Sequence, residues 1–140
     1  LIADGWKEYF PPKREKTLES AKQQKLAQVD EYDTSEEVNS FVLNGNAVWL
    51  SKADRVGLMN SISIEKIAGR DTSTLWFNGV KLVVNIDQAI QLLSMLELYA
   101  LECYNVTASH KASIEQLTTI EEVEAYDYTI GYPQKLIINL

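Results

Sequence analysis

The sequence predicts an α+β fold made of two ββα units on a long central helix, and three observations support this prediction. Asn44-Gly45 and Asn78-Gly79 each separate two apolar runs, and Asn-Gly adopts the positive φ angles of a tight hairpin turn at low cost. Each hairpin signal is followed by apolar residues at helical spacing, and the second copy lies 34 residues after the first. The 140 residues are 46% hydrophobic, enough for one core.

Residues 1–16 are interpreted as a linker or as the end of a missing N-terminal segment, and residues 17–140 as a single domain. Pro11 and Pro12 are consecutive, which forbids a helix at this point and favours an extended backbone. The chain begins at Leu1 without a methionine. We therefore expect it to be a piece of a longer protein.

A helix is predicted from Lys13 to about Tyr32, where strong helix formers dominate. Its apolar positions form only a narrow stripe, consisting of Leu18, Ala21, Leu26 and Val29. Because so narrow a stripe does not suit a core helix, we expect the helix to lie on the surface, to project as a stalk, or to pair with another helix.

The first ββα unit begins with strands at Ser40–Leu43 and Ala47–Leu50. Ser51, with Asp54 three residues later, resembles a capping box and predicts the start of a helix. Gly69 is the residue type that commonly ends one.

The second unit repeats this order with strands at Leu75–Phe77 and Val80–Val84. A cap at Asn85 or Asp87 then opens a helix from Ile86 to about Glu115, roughly 45 Å long at 1.5 Å per residue. Its middle is apolar nearly all round, which indicates the central element of the fold. The two hairpins could join in one antiparallel sheet or lie at opposite ends of this helix.

The C-terminal region predicts one short helix and one strand. Thr118 with Glu121, or Thr119 with Glu122, makes a capping box. Gly131 lies in the next turn, and the apolar run Leu136–Leu140 is predicted to add an edge strand.

Charge and hydropathy argue against two classes of partner. The net charge of −7, from 20 acidic and 13 basic residues, repels phosphate backbones, so nucleic acid is not an expected partner. No apolar run reaches the ~18 residues that span a bilayer. The first residues also lack the charged-then-apolar layout of a signal peptide, and no membrane partner is expected.

No catalytic, cofactor-binding or metal-binding residue is predicted. His110 is the only histidine, Cys103 is the only cysteine, and the six glycines occur singly, which does not match a nucleophile-base pair, a thiolate cluster or a phosphate-binding loop. We interpret His110 as a solvated or hydrogen-bonded helix residue and Cys103 as a core residue. The chain is therefore not expected to be an enzyme.

Aromatic residues cluster around the hairpin turns, at Phe41, Trp49, Trp76 and Phe77. Core packing is the commoner use of such side chains, whereas an exposed tryptophan can anchor a partner. We name Trp49, Trp76 and Tyr99 as candidate partner contacts, on the condition that they are exposed. Burial would make each of them a core residue.

Several segments resemble a family of uncharacterised domains, domain of unknown function 4376. They are Val38–Phe41, Val48–Leu50, Asp54–Leu58, Thr74–Phe77, Glu122–Asp127 and Gly131–Pro133. The resemblance covers about residues 17–133. Members of this family are found in tailed phages and prophages, often near tail-fibre or baseplate genes.

The resemblance implies a structural or interaction module of a phage or prophage tail, without catalytic residues to carry over. We expect it to act by contact with a protein partner or with copies of itself, in the bacterial cytoplasm during assembly or in the virion tail. Contact between copies is expected because the first helix has a narrow apolar face and the central helix a broad one. An alternative is a tail-fibre assembly chaperone that is released after maturation. An enzyme is the third hypothesis, and it would need a cleft joining His110 to a carboxylate and a nucleophile.

Overall fold

The structure is a computed structural model that describes residues 16–140. The described residues form four helices and five strands, whose order along the chain is α1 (Leu18–Asp33), β1 (Phe41–Leu43), β2 (Asn46–Val48), α2 (Lys52–Ile67), β3 (Thr72–Phe77), β4 (Val80–Asn85), α3 (Ile86–Gln116), α4 (Ile120–Ala125) and β5 (Ile137–Ile138). The predicted α+β class, the two hairpins and the long central helix are confirmed. The interpretation of residues 1–16 as a linker lies outside the described residues, apart from Lys16.

The first helix starts later than predicted and lies on the surface, one of the three expected arrangements, with its narrow stripe packed against α3 and α4. Thr17 caps it, with its side chain accepting a hydrogen bond from the Ser20 amide at 3.0 Å. The start of the predicted helix, at residues 13–15, lies outside the described residues. Ala21 and Val29 are buried in a cluster with Ile114 of α3 and Val123 of α4. The stripe is narrow because α1 covers only one edge of α3, and the other faces of α1 carry the polar residues.

Both hairpins form as predicted around their Asn-Gly turns. Asn44 and Asn78 have φ angles of 49° and 51°, and the glycines that follow have 83° and 78°. The second hairpin is longer than predicted, with six residues in each strand. The first has only three residues in each strand.

The two hairpins adopt neither of the two expected arrangements. They belong to separate sheets, one with the strand order β2-β1-β5 and one with β3-β4, yet they lie side by side. The Asn78 side chain donates from Nδ2 to the Ala47 carbonyl at 2.9 Å. The rings of Phe41 and Phe77 meet edge to face with centroids 6.4 Å apart. The core therefore joins the sheets without a shared ladder of hydrogen bonds.

Side-chain caps start the remaining helices. Ser51 accepts from the Asp54 amide at 3.0 Å at the start of α2, and Asn85 accepts from the Asp87 amide at 2.9 Å at the start of α3. Of the two capping boxes predicted for α4, Thr119 with Glu122 is the one that forms. The Thr119 side chain accepts from the Glu122 amide at 3.2 Å. Each cap satisfies an amide that has no partner within its helix.

The central helix α3 organises the core. Its buried side chains are Ile86, Ala89, Leu92, Leu93, Leu96, Tyr99, Cys103, Thr107, His110 and Ile114. The hairpins and α2 cover its first half, and α1 and α4 cover its second half. The predicted C-terminal edge strand is confirmed in a shorter form as β5, which runs parallel to β1. Within residues 16–140, no helix is long and apolar enough to cross a membrane.

Candidate functional site

The three candidate contact residues divide into two exposed tryptophans and one buried tyrosine. Trp49 is 46% exposed and Trp76 is 63% exposed. Tyr99 is buried, and its hydroxyl donates to the Val38 carbonyl at 2.6 Å. Tyr99 is therefore a core residue that ties α3 to the loop before β1, and it is not among the contacts proposed below.

The alternation of aromatics around the turns has a simple geometric cause. Successive strand residues point to opposite faces of a sheet. Phe77 therefore points into the core beside Phe41, whereas its neighbour Trp76 points outward. Trp49 is the first residue after β2, and it lines a depression together with residues of α3.

Trp49 lies at a groove between the first hairpin, the start of α2 and the middle of α3. Two adjoining depressions of about 280 and 350 Å³ form it. We call this surface the Trp49 groove, and its lining residues are Asp33, Thr34, Asn39, Trp49, Leu50, Ser51, Lys52, Arg55, Glu97, Ala100, Leu101 and Tyr104.

The floor of the Trp49 groove is an ion pair between α2 and α3. Arg55 Nε lies 2.6 Å from Glu97 Oε1, and Arg55 Nη1 donates to the Leu50 carbonyl at 2.9 Å. The Arg55 side chain is only 12% exposed, whereas that of Glu97 is 41% exposed. The charge of the Arg55 guanidinium is thus neutralised by Glu97 within the protein. Its hydrogen bond to Leu50 also holds the end of the first hairpin against α2 and α3.

The walls of the groove are exposed apolar side chains. Tyr104 of α3 lines the same depression as Trp49, and Leu101 lines the adjoining one. These two α3 residues are 67% and 54% exposed. A further depression of about 440 Å³ continues along the seam of the two helices past the exposed Val56. The exposed area of these four residues is on the order of 400 Å², the size at which surface patches are often functional.

Two other surfaces lie at the hairpins. The outer face of the second hairpin presents Trp76 and the exposed Val83, but it is a flat strand face. A cleft of about 250 Å³ lies between the two hairpin tips. Its asparagines hold the tips in place, since Asn44 Oδ1 accepts from the Leu140 amide at 2.8 Å and Asn78 donates to Ala47. The only aromatic residue that lines this cleft is the buried Phe77, whereas the Trp49 groove is lined by two exposed aromatic residues.

His110 is held by two hydrogen bonds at the other end of α3. Its Nε2 lies 2.7 Å from the Ile130 carbonyl, and its Nδ1 lies 2.7 Å from the Tyr126 hydroxyl. Because a carbonyl can only accept, Nε2 carries the proton and Nδ1 accepts from Tyr126 in the neutral imidazole. Both nitrogens are thus used to anchor the segment after α4. Within residues 16–140, no group of three His, Cys, Asp or Glu side chains is placed to hold a metal ion.

Cys103 is fully buried beside Tyr99, and its thiol donates to the Val38 carbonyl at 3.3 Å. Burial raises the pKa of the thiol from 9.0 to about 11 and that of the Tyr99 hydroxyl to about 12. The thiol is therefore protonated at neutral pH, which fits the core role expected from the sequence.

The raised pKa of Cys103 predicts a loss of stability in alkali. The unfolded chain releases this proton near pH 9 while the folded chain retains it to about 11, so the free energy of unfolding falls as pH rises across that window, by up to about 3 kcal/mol. Urea titrations at pH 8, 9 and 10 measure this fall. The fall should be smaller in Cys103→Ala. Equal slopes of the free energy of unfolding against pH in the two chains would show that Cys103 is not the group responsible.

The sequence pointed to Trp49 but not to the α3 residues that line the groove with it. Leu101 and Tyr104 lie three residues apart, outside the buried stripe of α3, and this spacing marks a second helix face. Because the middle of α3 is apolar nearly all round, the sequence does not show which of its faces stays uncovered. Arg55 and Glu97 are 42 positions apart, so their pairing has no local signal.

Comparison with known proteins finds one family. A family described as "Domain of unknown function (DUF4376)" matches residues 20–130. No curated protein matches the chain, and no solved structure matches it.

Proposed function

Because the chain belongs to the family described as domain of unknown function 4376, we propose that it is a non-enzymatic interaction module associated with phage or prophage tails. The Trp49 groove is the surface through which it contacts a protein partner. The tail context rests on the family resemblance, and the contact surface rests on the exposure of the groove.

The observation that carries this proposal is the set of large apolar side chains exposed at one place. Trp49, Leu101 and Tyr104 line a groove whose floor is fixed by the Arg55–Glu97 pair. Aromatic residues on a rigid support are typical of the anchors that dominate protein interfaces. Burial of these side chains by a partner would remove their apolar surface from water, at about 25 cal/mol per Å².

The small area of the patch favours a limited contact over a permanent one. A stable interface buries roughly 800 Å² on each partner. This is about twice the exposed area of Trp49, Val56, Leu101 and Tyr104 together. This also supports the second candidate, a tail-fibre assembly chaperone that releases its client. The two functions differ in whether the chain stays in the finished particle.

The proposal is tested in the phage or prophage that encodes the chain. We expect a tagged chain to co-purify with tail particles in a fixed ratio, measured by quantitative mass spectrometry. The double variant Trp49→Ala with Tyr104→Ser should lose this association while its melting temperature stays within a few degrees. Ile67→Ala is the matched control, because Ile67 is 86% exposed and does not line the groove.

The other outcomes separate the candidates. A chain that binds fibre precursors in lysates but is absent from particles supports the chaperone. Full retention of the double variant would overturn the role of the groove, and absence of the chain from both fractions would overturn the tail association. Trp76→Ala, measured in parallel, shows whether the second exposed tryptophan contributes to the same contact.

A further inference from the structure

Strand β3 has an open edge, and we infer that two copies of the chain join at this edge, through antiparallel pairing of β3 with β3 of the second copy. The two hairpins then form one four-stranded sheet across the dimer. The inference goes beyond the proposed function and does not rest on it, because no residue of β3 lines the Trp49 groove.

The register of the second hairpin decides which backbone groups of β3 remain unpaired. The Ile86 amide donates to the Asp71 carbonyl at 2.9 Å, and in an antiparallel pair every second residue from there exchanges hydrogen bonds with the other strand. Thr72, Thr74 and Trp76 belong to the other set, so their amides and carbonyls point away from β4. Within residues 16–140, these groups make no further backbone hydrogen bond.

No described element covers this edge. Within residues 16–140, β3 packs substantially only against β4 and α3, and its sheet ends at β3. The side chains of Thr72, Thr74 and Trp76 are all exposed, on the face of the hairpin away from the core. A second strand can therefore approach the edge without displacing part of the monomer.

The other edges of the described sheets carry features that hinder pairing with another chain. Very short edge strands and lysine side chains are common protections. Strands β2 and β5 have three and two residues, and β4 presents the exposed Lys81 along its outer edge. Strand β3 has six residues and contains no charged residue, no proline and no break in its register. It is therefore the edge best able to accept a further strand.

The sequence of β3 is complementary to itself in the antiparallel direction. Thr74 lies midway between Thr72 and Trp76, so a twofold axis at Thr74 pairs the three outward-facing residues with each other. Thr74 then lies opposite Thr74 of the second copy, and Trp76 lies opposite Thr72. Threonine pairs and aromatic pairs with β-branched residues are favourable cross-strand neighbours. Two chains of net charge −7 also meet here without like charges across the seam, because β3 is uncharged.

The inference is tested by sedimentation equilibrium of the full chain between about 10 μM and about 1 mM. We expect a reversible, weak dimer, because one strand pair buries less than the roughly 800 Å² per partner of a stable interface. Thr74→Pro removes the central outward-facing amide and should weaken the dimer at least about tenfold. Val83→Pro is the matched control, since Val83 lies directly opposite Thr74 and its amide points to the other edge of the hairpin.

Charge variants decide the question even if the proline variants unfold. Thr74→Lys and Thr74→Glu should each be monomeric, because each places like charges opposite one another at the twofold axis. An equimolar mixture of the two should form a dimer again, whereas Val83→Lys should dimerise as the unchanged chain does. A mixture that stays monomeric would overturn the inference.

Hydrogen exchange measured by NMR locates the contact. The Thr72, Thr74 and Trp76 amides should gain protection as the concentration rises, and the Val83 amide should not. A chain that is monomeric at every concentration overturns the inference, as does a dimer in which other amides gain the protection. Protection of these amides only after fibre precursors are added would assign the edge to a strand of a different protein, and the pairing of two copies would be wrong.

Discussion

Val29→Asp is expected to lower the free energy of unfolding by about 4 kcal/mol, the largest effect of any single substitution considered for this chain. Val29 is fully buried in α1 and packs in a cluster with Ile114 and Val123. A carboxylate at this position would be buried without a partner, which typically costs about 3–5 kcal/mol. Urea denaturation followed by circular dichroism measures the change.

Ala27→Asp is the matched control, since Ala27 lies in the same helix and is exposed. It should cost less than about 1 kcal/mol, through helix propensity alone. Light-scattering chromatography on the same samples gives the solution mass. A Val29→Asp chain that keeps its stability but falls from an oligomer to a monomer would show that α1 pairs with another copy, contrary to the packing described above.

This result bears on how a deletion of α1 is interpreted. A chain beginning at Thr34 would lose the partner of Ile114 and Val123, two side chains that are fully buried. Its aggregation or altered mass would then reflect an uncovered core and not a lost oligomer contact. Point substitutions on the two faces of α1 avoid this ambiguity.

The features that the sequence predicted well are local ones. The Asn-Gly turns, the caps at Ser51 and Asn85, and the end of α2 at Gly69 depend on backbone geometry within a few residues. Such signals need no knowledge of the rest of the fold. Strand lengths were less accurate, because they depend on how far a partner strand extends.

The features that the sequence did not predict depend on contacts between distant segments. The narrow stripe of α1 left open whether the helix lies on the surface, projects as a stalk or pairs with another helix, and its contacts with α3 and α4 place it on the surface. The middle of α3 is apolar on almost every side, so the periodicity could not separate the buried Tyr99 from the exposed Leu101 and Tyr104. Only the positions of α1, α2 and the hairpins decide which face of α3 remains open.

The same limit applies to the candidate site. Trp49 was identified because it follows a hairpin strand, which is a local property. The Arg55–Glu97 floor forms when α2 meets α3, and the end of the groove at Asp33 forms when the loop before β1 meets α3. The groove is therefore a product of tertiary packing, and its residues have no common spacing in the sequence.

His110→Ala is expected to lower the free energy of unfolding by about 3 kcal/mol and to loosen the C-terminal segment first. His110 contacts the Tyr126 hydroxyl and the Ile130 carbonyl, and its ring packs edge to face on Tyr126. Alanine removes both hydrogen bonds and leaves a cavity, two losses of about 1–2 kcal/mol each. The segment they anchor leads to β5, whose pairing with β1 depends on it.

Hydrogen exchange distinguishes this anchoring role from general core packing. The Val42 and Asn44 amides donate to the carbonyls of Leu136 and Ile138, both at 2.9 Å. In His110→Ala they should exchange faster by a larger factor than the amides in the middle of α3, because β5 detaches in a partial opening. Ser109→Ala is the control, since Ser109 is exposed on the same turn. Equal acceleration at all amides would show that His110 supports only the global core and does not anchor β5.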